Sequence, residues 1–477
     1  MALPDGIVAV VKRECPTCLL VAPVLADLAQ RAKQPLTVYS QDDPAFPDGV
    51  AVTDDTSLEV SWHHQIETVP TLLHIEAGRE LDRLEGWHRE RWEAFTAVAN
   101  LGPGLPDFQP CCGSRSVDPD LVVDLAVRFG ATRLRSRRVE VAAAEDEAEA
   151  LFERGWTDGL PVVAPTEPRV MRMLDGTKRP PDDVVAVVPP ALAECTVEKV
   201  AINAVMAGCK PEYLPVVLTA LEAACTDEFN LHGVLATTMP VGPVLIVNGP
   251  IRRAIGMSSG INVLGQGNRA NLTIGRALQL LVRNVGEGRP GEVDRATHGN
   301  PGKVGFCFAE DEAGTPWEPL SVERGAAPGS STVTVFAGEG PRCIVDQASR
   351  DPESLSRTFA SCLRTVHHPK LPIVFDALLV VGPEHGRVFG EAGWGKAQLR
   401  ASLLELLTTP GEELVRGAGG IAEGAPDSVR GADIPKFRPD GLHIVQAGGK
   451  AGLFSMIIGG WVNGATGSQM VTREVSL

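Results

Sequence analysis

The feature that most constrains this chain is a pair of cysteines, Cys15 and Cys18, set where a strand pattern gives way to a helix pattern. Residues 7–11 form an apolar, β-branched run that predicts a buried strand, and Leu19, Val21, Val24, Leu25 and Leu28 then recur at helical spacing. Cys15 therefore falls at a helix N-terminus, where free backbone N–H groups and the macrodipole favour a thiolate and lower its pKa. Cys18, one turn later, is in reach to form and resolve a disulfide. Lys12 and Arg13 add positive charge nearby, while Glu14 works against them. A CxxC pair also serves as half of a zinc site, but no second CxxC or Cys/His pair follows at zinc-finger spacing.

Further residues extend the pattern. Pro23 falls five residues after the second cysteine, Val69-Pro70-Thr71 opens a predicted strand over 72–75, and Ala77-Gly78 turns into a final hairpin strand. Together with Cys15-Pro16-Thr17-Cys18 after a strand, these features resemble the thioredoxin fold over about the first hundred residues. The resemblance implies that Pro70 is cis and packs beside the disulfide, and that Cys15 and Cys18 are catalytic. Three features depart from the family pattern. Glu14 stands where a Trp is usual, Pro16-Thr17 replaces Gly-Pro and is closer to the Cys-Pro-x-Cys of glutaredoxins, and Ala9 occupies the place of the family's buried acid. The first 100 residues hold 8 Lys/Arg against 16 Asp/Glu, half of the chain's net charge of −16. An acidic surface favours a docked disulfide-containing protein over an anionic small thiol.

At 477 residues the chain is too long for one small module. Its 44 Lys/Arg against 60 Asp/Glu repel phosphate backbones, which excludes nucleic acid as an expected partner. The N-terminus lacks a signal-peptide pattern and no apolar run reaches the ~20 residues of a membrane span. The expectation is a soluble, cytoplasmic protein whose 10 cysteines are thiols, with no membrane partner. With only 5% aromatic residues, the core must be built from Val, Leu, Ile and Ala, as in a buried α/β sheet.

Residues 101–119, dense in Gly, Pro, Ser and Asp, read as a linker that ends the first domain. Within it lie Cys111 and Cys112, expected to be exposed. Adjacent cysteines close a disulfide only with strain, so they offer thiols to a soft metal, or one thiol for exchange with Cys15, or nothing at all. Residues 120–477 alternate strand and helix patterns, which gives an α/β class for the chain as a whole. Strands are predicted at 184–188, 243–248, 304–308, 332–337, 373–381 and 442–445. Helices are predicted at 196–207, 213–224, 269–285, 352–366 and 396–408. A break near 320–331 would divide this region into two subdomains.

In the large region, Cys195 precedes Thr196, a good N-cap, so it would be tuned as Cys15 is, with Lys199 one turn on. Cys209 and Cys225 are weaker candidates. Among the histidines, His232, His298, His367 and His368, His385 stands out: it follows a predicted strand end, with Glu384 adjacent and Trp394 and Lys396 further on. Two glycine-rich stretches could present N–H groups to a phosphate or carboxylate. One contains Ser258, Gly265 and Gly267 and leads into a helix; the other is Gly448, Gly449 and Lys450 after a strand. Neither matches a P-loop or dinucleotide fingerprint, and no metal or cofactor is implied. Three functions stay open. In the first, a thiol–disulfide oxidoreductase domain keeps the attached α/β region reduced or supplies it with thiol equivalents. In the second, the large region is a lyase or hydrolase acting on a small anionic or sulfur-containing metabolite. In the third, the chain binds a soft metal or a partner.

Overall fold

The computed structural model describes residues 2–130, 132, 134–142, 145–464 and 466–476. The chain is of the α/β class and divides into two compact units, Met1–Arg133 and Leu134–Leu477.

In the first unit, β1 (Gly6–Val11) runs into α1 (Pro16–Arg31), followed by β2 (Leu36–Ser40), β3 (Val52–Asp54) and α2 (Glu59–His63). Next come β4 (Thr68–Val69), β5 (Thr71–Glu76), β6 (Arg79–Glu85), β7 (Trp87–His88) and α3 (Arg89–Thr96). The sheet order is β3-β2-β1-β5-β6, with β1 parallel to β2 and antiparallel to β5. Every residue of β1 is buried, as the apolar run requires of a central strand covered on both faces. Leu28, Leu25, Val24, Val21 and Cys18 form the buried stripe of α1 against that sheet. The Val69–Pro70 peptide is cis.

The segment expected to be a linker is instead part of this unit. Leu101, Ser114 and Ser116 are buried, and two short strands, β8 (Phe108–Gln109) and β9 (Cys112–Gly113), pair with β7 and β4. The reason is a series of anchors that composition does not reveal: Trp87 Nε1 donates to Pro106 O, the Arg89 guanidinium spans the carbonyls of Leu101, Gly102 and Leu105, and Gln41 Nε2 donates to Ser114 Oγ.

The second unit is built on an eight-stranded mixed sheet. Its path is Cys307–Ala309, Gly242–Asn248, Thr332–Gly338, Phe454–Val462, Phe375–Val381 and Leu442–Gln446, with Arg342–Val345 and Val471–Glu474 alongside. Gly242–Asn248, Thr332–Gly338 and Phe375–Val381 are buried along their whole length. Helices Val197–Ala207, Leu214–Ala224 and Arg269–Asn284 cover one half of the sheet, and Pro352–Leu363 and Lys396–Leu406 cover the other. No division falls at 320–331: a short helix, Leu320–Glu323, leads there into Thr332–Gly338, an inner strand of the same sheet. The strand predicted at 304–308 is shifted, because Asn300 caps a 3₁₀ turn at Pro301–Val304 and the strand begins at Cys307. Among the described residues, no helix is long and apolar enough to cross a membrane.

Candidate functional site

Cys15 is the N-cap residue of α1, with extended backbone (φ −91°), and its Sγ accepts the Cys18 N–H at 3.3 Å. Both cysteines are fully buried. The Cys15 thiol is pulled down from its ordinary value near 9 to about 5. The largest cause is hydrogen bonding from the Cys18 side chain; burial opposes it, and the Cys112 thiol and the Cys18 and Thr17 amides add to it. Burial pushes the Cys18 thiol far up, and the neighbouring Cys15 raises it further. One cysteine is thus an anion at neutral pH and the other a protonated thiol, the division of roles that exchange chemistry needs. The flanking cations are not the source of this asymmetry: Arg13 pairs with Asp43 at 2.5 Å, and Asp42 binds the backbone amides of Arg13 and Glu14.

Pro70 joins this site. The Val69 carbonyl beside it lies 3.6 Å from Cys15 Sγ, and Pro70 O accepts the Gly86 N–H. Cys112 completes the cluster, its Sγ lying 2.8 Å from Cys15 Sγ. The contact comes from strand pairing: β9 lies antiparallel to β4, with Cys112 opposite Val69 and Gly113 opposite Thr68. Thr17 Oγ1 donates to Pro110 O at 2.6 Å, and the Ser114 N–H donates to Glu67 O. Gly86 permits the close approach: its φ is +72°, and a Cβ there would lie 3.1 Å from the Cys111 amide. Cys111 and Cys112 are half-buried, not exposed as expected. Burial, then hydrogen bonding to Cys15, raises the Cys112 thiol. With Cys15 ionised, Cys112 S–H is the donor of the sulfur–sulfur contact.

The other predicted site residues lie in the second unit and form no single centre. Thr196 does cap its helix, but Cys195 is fully buried at the end of the strand Ala193–Thr196, and burial pushes its thiol up to about 12. A helix N-terminus does not offset that desolvation. Cys209 and Cys225 are likewise pushed up to about 12 by burial. His385 is fully buried, its Nδ1 2.8 Å from Ser455 Oγ and its Nε2 3.0 Å from Asp346 O, with Phe359 packed against the ring. Both ring nitrogens are occupied, so it ties elements together and faces no cleft. His367 is engaged similarly, with Gly460 O at 2.7 Å.

The two glycine-rich stretches do meet. Gly265, Gly448 and Gly449 line one cleft of about 390 Å³, together with Asn262 and Ser455. Their amides are not all free, since the Gly265 N–H donates to Asn262 O and the Gly448 N–H to Ser259 O. Lys450 lies on a neighbouring cleft with Glu384 and Arg387, and Gly267 lines neither. The helix that follows is capped by its own Asn268, whose Oδ1 accepts the Asn271 N–H, so that end is satisfied within the chain.

Sequence reading missed a buried ionic cluster at the ends of the strands Gly242–Asn248 and Cys307–Ala309. Glu310 is fully buried; its Oε2 accepts from Asn248 Nδ2 at 2.7 Å and from the Leu320 N–H at 2.8 Å, and Lys396 Nζ lies 3.5 Å from its Oε1. Burial raises the Glu310 carboxyl, with Lys396 opposing. Lys396 also lies 3.5 Å from Glu323, which pairs with Arg400, while Arg252 binds Glu312 at 2.7 Å. These residues come from segments far apart in the chain, so no local spacing announces them. Among the described residues, no group of three or more His, Cys, Asp or Glu is placed to hold a metal ion. No family model matches the chain, and no curated protein is significantly similar to it.

Proposed function

We propose that the first unit is a thioredoxin-like thiol–disulfide oxidoreductase with Cys15 as nucleophile and Cys18 as resolving thiol, working in the reducing cytoplasm on a disulfide-containing protein. The observation that carries this reading is the opposed protonation of the pair: an N-cap thiolate at Cys15 and a buried protonated thiol one helical turn away. The order β1, CxxC, α1 and the cis Val69–Pro70 peptide beside Cys15 support it.

The reaction balances on these two sulfurs. Cys15 thiolate attacks one sulfur of a foreign disulfide, a Cys15–substrate bond forms, and the other substrate sulfur leaves with the electron pair. Cys18 then gives up its proton and attacks Cys15, and the second substrate sulfur leaves as a thiol. The chain is oxidised by two electrons and the substrate disulfide is reduced. Because a stabilised thiolate stabilises the reduced form, the Cys15–Cys18 disulfide is readily reduced again, and a dithiol donor in excess drives the cycle toward substrate reduction. The second unit is the attached region this chemistry would serve, but its buried cysteines lack thiolate character, so Cys195 has no role in this reading.

The test is Cys18→Ser/Cys112→Ser in the full chain, the second substitution removing the thiol 2.8 Å from Cys15 that would otherwise release the adduct. It should trap a covalent adduct from Cys15 with a disulfide-bonded protein substrate, and the unaltered chain should reduce that substrate with a dithiol as electron donor. The absence of both trapping and dithiol-dependent reduction overturns the proposal.

A further inference from the structure

We infer that residues 108–113 are an internal substrate of the Cys15–Cys18 site, with Cys112 as a third redox thiol that exchanges with Cys15. This rests on the oxidoreductase reading above and names the first substrate of that site as a segment of the same chain.

Three observations carry it. The sulfurs of Cys15 and Cys112 are in direct contact at 2.8 Å. The contact is set by backbone, not by chance packing of side chains: β9 pairs with β4 in a register that puts Cys112 opposite Val69, the residue before Pro70. The segment is pinned on both sides, upstream by the β7–β8 pairing and the Thr17–Pro110 hydrogen bond, and downstream by Ser114 N–H to Glu67 O and Ser116 Oγ to Ile66 O. Adjacent residues of an extended strand face opposite ways, so this register presents Cys112 and turns Cys111 aside. Cys15 is meanwhile closed to solvent, and a foreign disulfide reaches it only when the segment lifts.

The exchange needs no outside oxidant or reductant. In the chain oxidised by two electrons, Cys112 gives up its proton and attacks Cys15 in the Cys15–Cys18 disulfide. A Cys15–Cys112 bond forms, the Cys15–Cys18 bond breaks, and Cys18 leaves with the electron pair and takes up the proton. Attack by Cys18 on Cys15 reverses the step. Two disulfides sharing Cys15 thus hold the same oxidation state, and Cys112, at the high effective concentration of a tethered group, competes with any foreign substrate.

The full chain with Cys18→Ser is treated with diamide as oxidant, acid-quenched and digested without reduction. The expected product is a Cys15–Cys112 linked peptide, exceeding Cys15–Cys111 by about tenfold or more, a preference that denaturing urea abolishes. Comparable linkage to Cys111 and Cys112 in the folded chain, or recovery of Cys15 only in intermolecular adducts, overturns the inference. The linked peptide should persist in Cys18→Ser/Cys111→Ser and vanish in Cys18→Ser/Cys112→Ser. The unaltered chain, oxidised and quenched alike, guards against misfolding of the variants and should contain both Cys15–Cys18 and Cys15–Cys112. Cys15–Cys18 alone overturns this inference and leaves the oxidoreductase reading standing; failure to form Cys15–Cys18 counts against that reading itself.

Discussion

Ionisation of Cys15 should make the stability of the reduced first unit depend on pH, and Cys15→Ser should remove that dependence. The folded thiol titrates at about 5 and the unfolded one near 9. A group depressed in the folded state adds stability that is complete above the unfolded value and lost as pH falls through the folded one. At about 1.4 kcal/mol per pH unit, the whole interval corresponds to on the order of 5 kcal/mol. Cys112 beside it is only half-buried, so solvent screens part of this, and about 2–3 kcal/mol is the expected net gain. Cys18 and Cys112 have raised thiols and stay protonated on both sides of the folding equilibrium until pH passes the unfolded value, so they leave the interval from about 5 to 8 to Cys15. Asp55, whose carboxyl burial raises, is common to both proteins and cancels in the comparison. The assay is urea unfolding read by pulsed hydrogen exchange in peptides covering β1 and β5, which reports on the first unit alone. Reduced unaltered chain should gain stability steadily from about pH 5 to 8 relative to Cys15→Ser. Parallel curves for the two proteins, or a gain as pH falls, would refute an anionic Cys15.

Two further outcomes follow from single contacts. Thr17→Val keeps the shape of a buried side chain but leaves Pro110 O without its donor, which should loosen residues 108–113 by about 1–2 kcal/mol; faster hydrogen exchange there and a lower yield of Cys15–Cys112, with α1 unchanged, would be seen. Lys396→Met strands the buried Glu310 carboxylate and should destabilise the second unit by about 3–5 kcal/mol, whereas adding Glu310→Gln should recover part of the loss; urea unfolding of single and double variants measures this, and equal stability of the two would remove the ion pair from the account.

What was legible in the sequence is what repeats locally. The apolar run in β1, the stripe Val21, Val24, Leu25 and Leu28, the helix start at Cys15 and the cap at Thr196 each rest on neighbours within a few residues, and their elements fall where that spacing puts them. The strand Phe454–Val462 lies mid-sheet but is not legible locally, because Gly459 and Gly460 interrupt its pattern. Gly460 is there for a non-local reason: a Cβ would lie 2.7 Å from the Phe336 ring. Cys195 shows the opposite failure. The Thr196 cap beside it is a local feature, but the burial that decides its protonation is contributed by a core drawn from several helices and strands, and desolvation outweighs the helix terminus. Cys112 combines both limits. Nothing in Gly-Pro-rich surroundings marks a two-residue strand, and its partner Val69 is remote in sequence. Yet that pairing, with Gly86, Thr17 and Ser114 around it, brings the Cys112 sulfur to 2.8 Å from Cys15 Sγ. In the proposed redox chemistry, protonation is assigned within one helical turn, and access to Cys15 is controlled by a segment almost a hundred residues further along the chain.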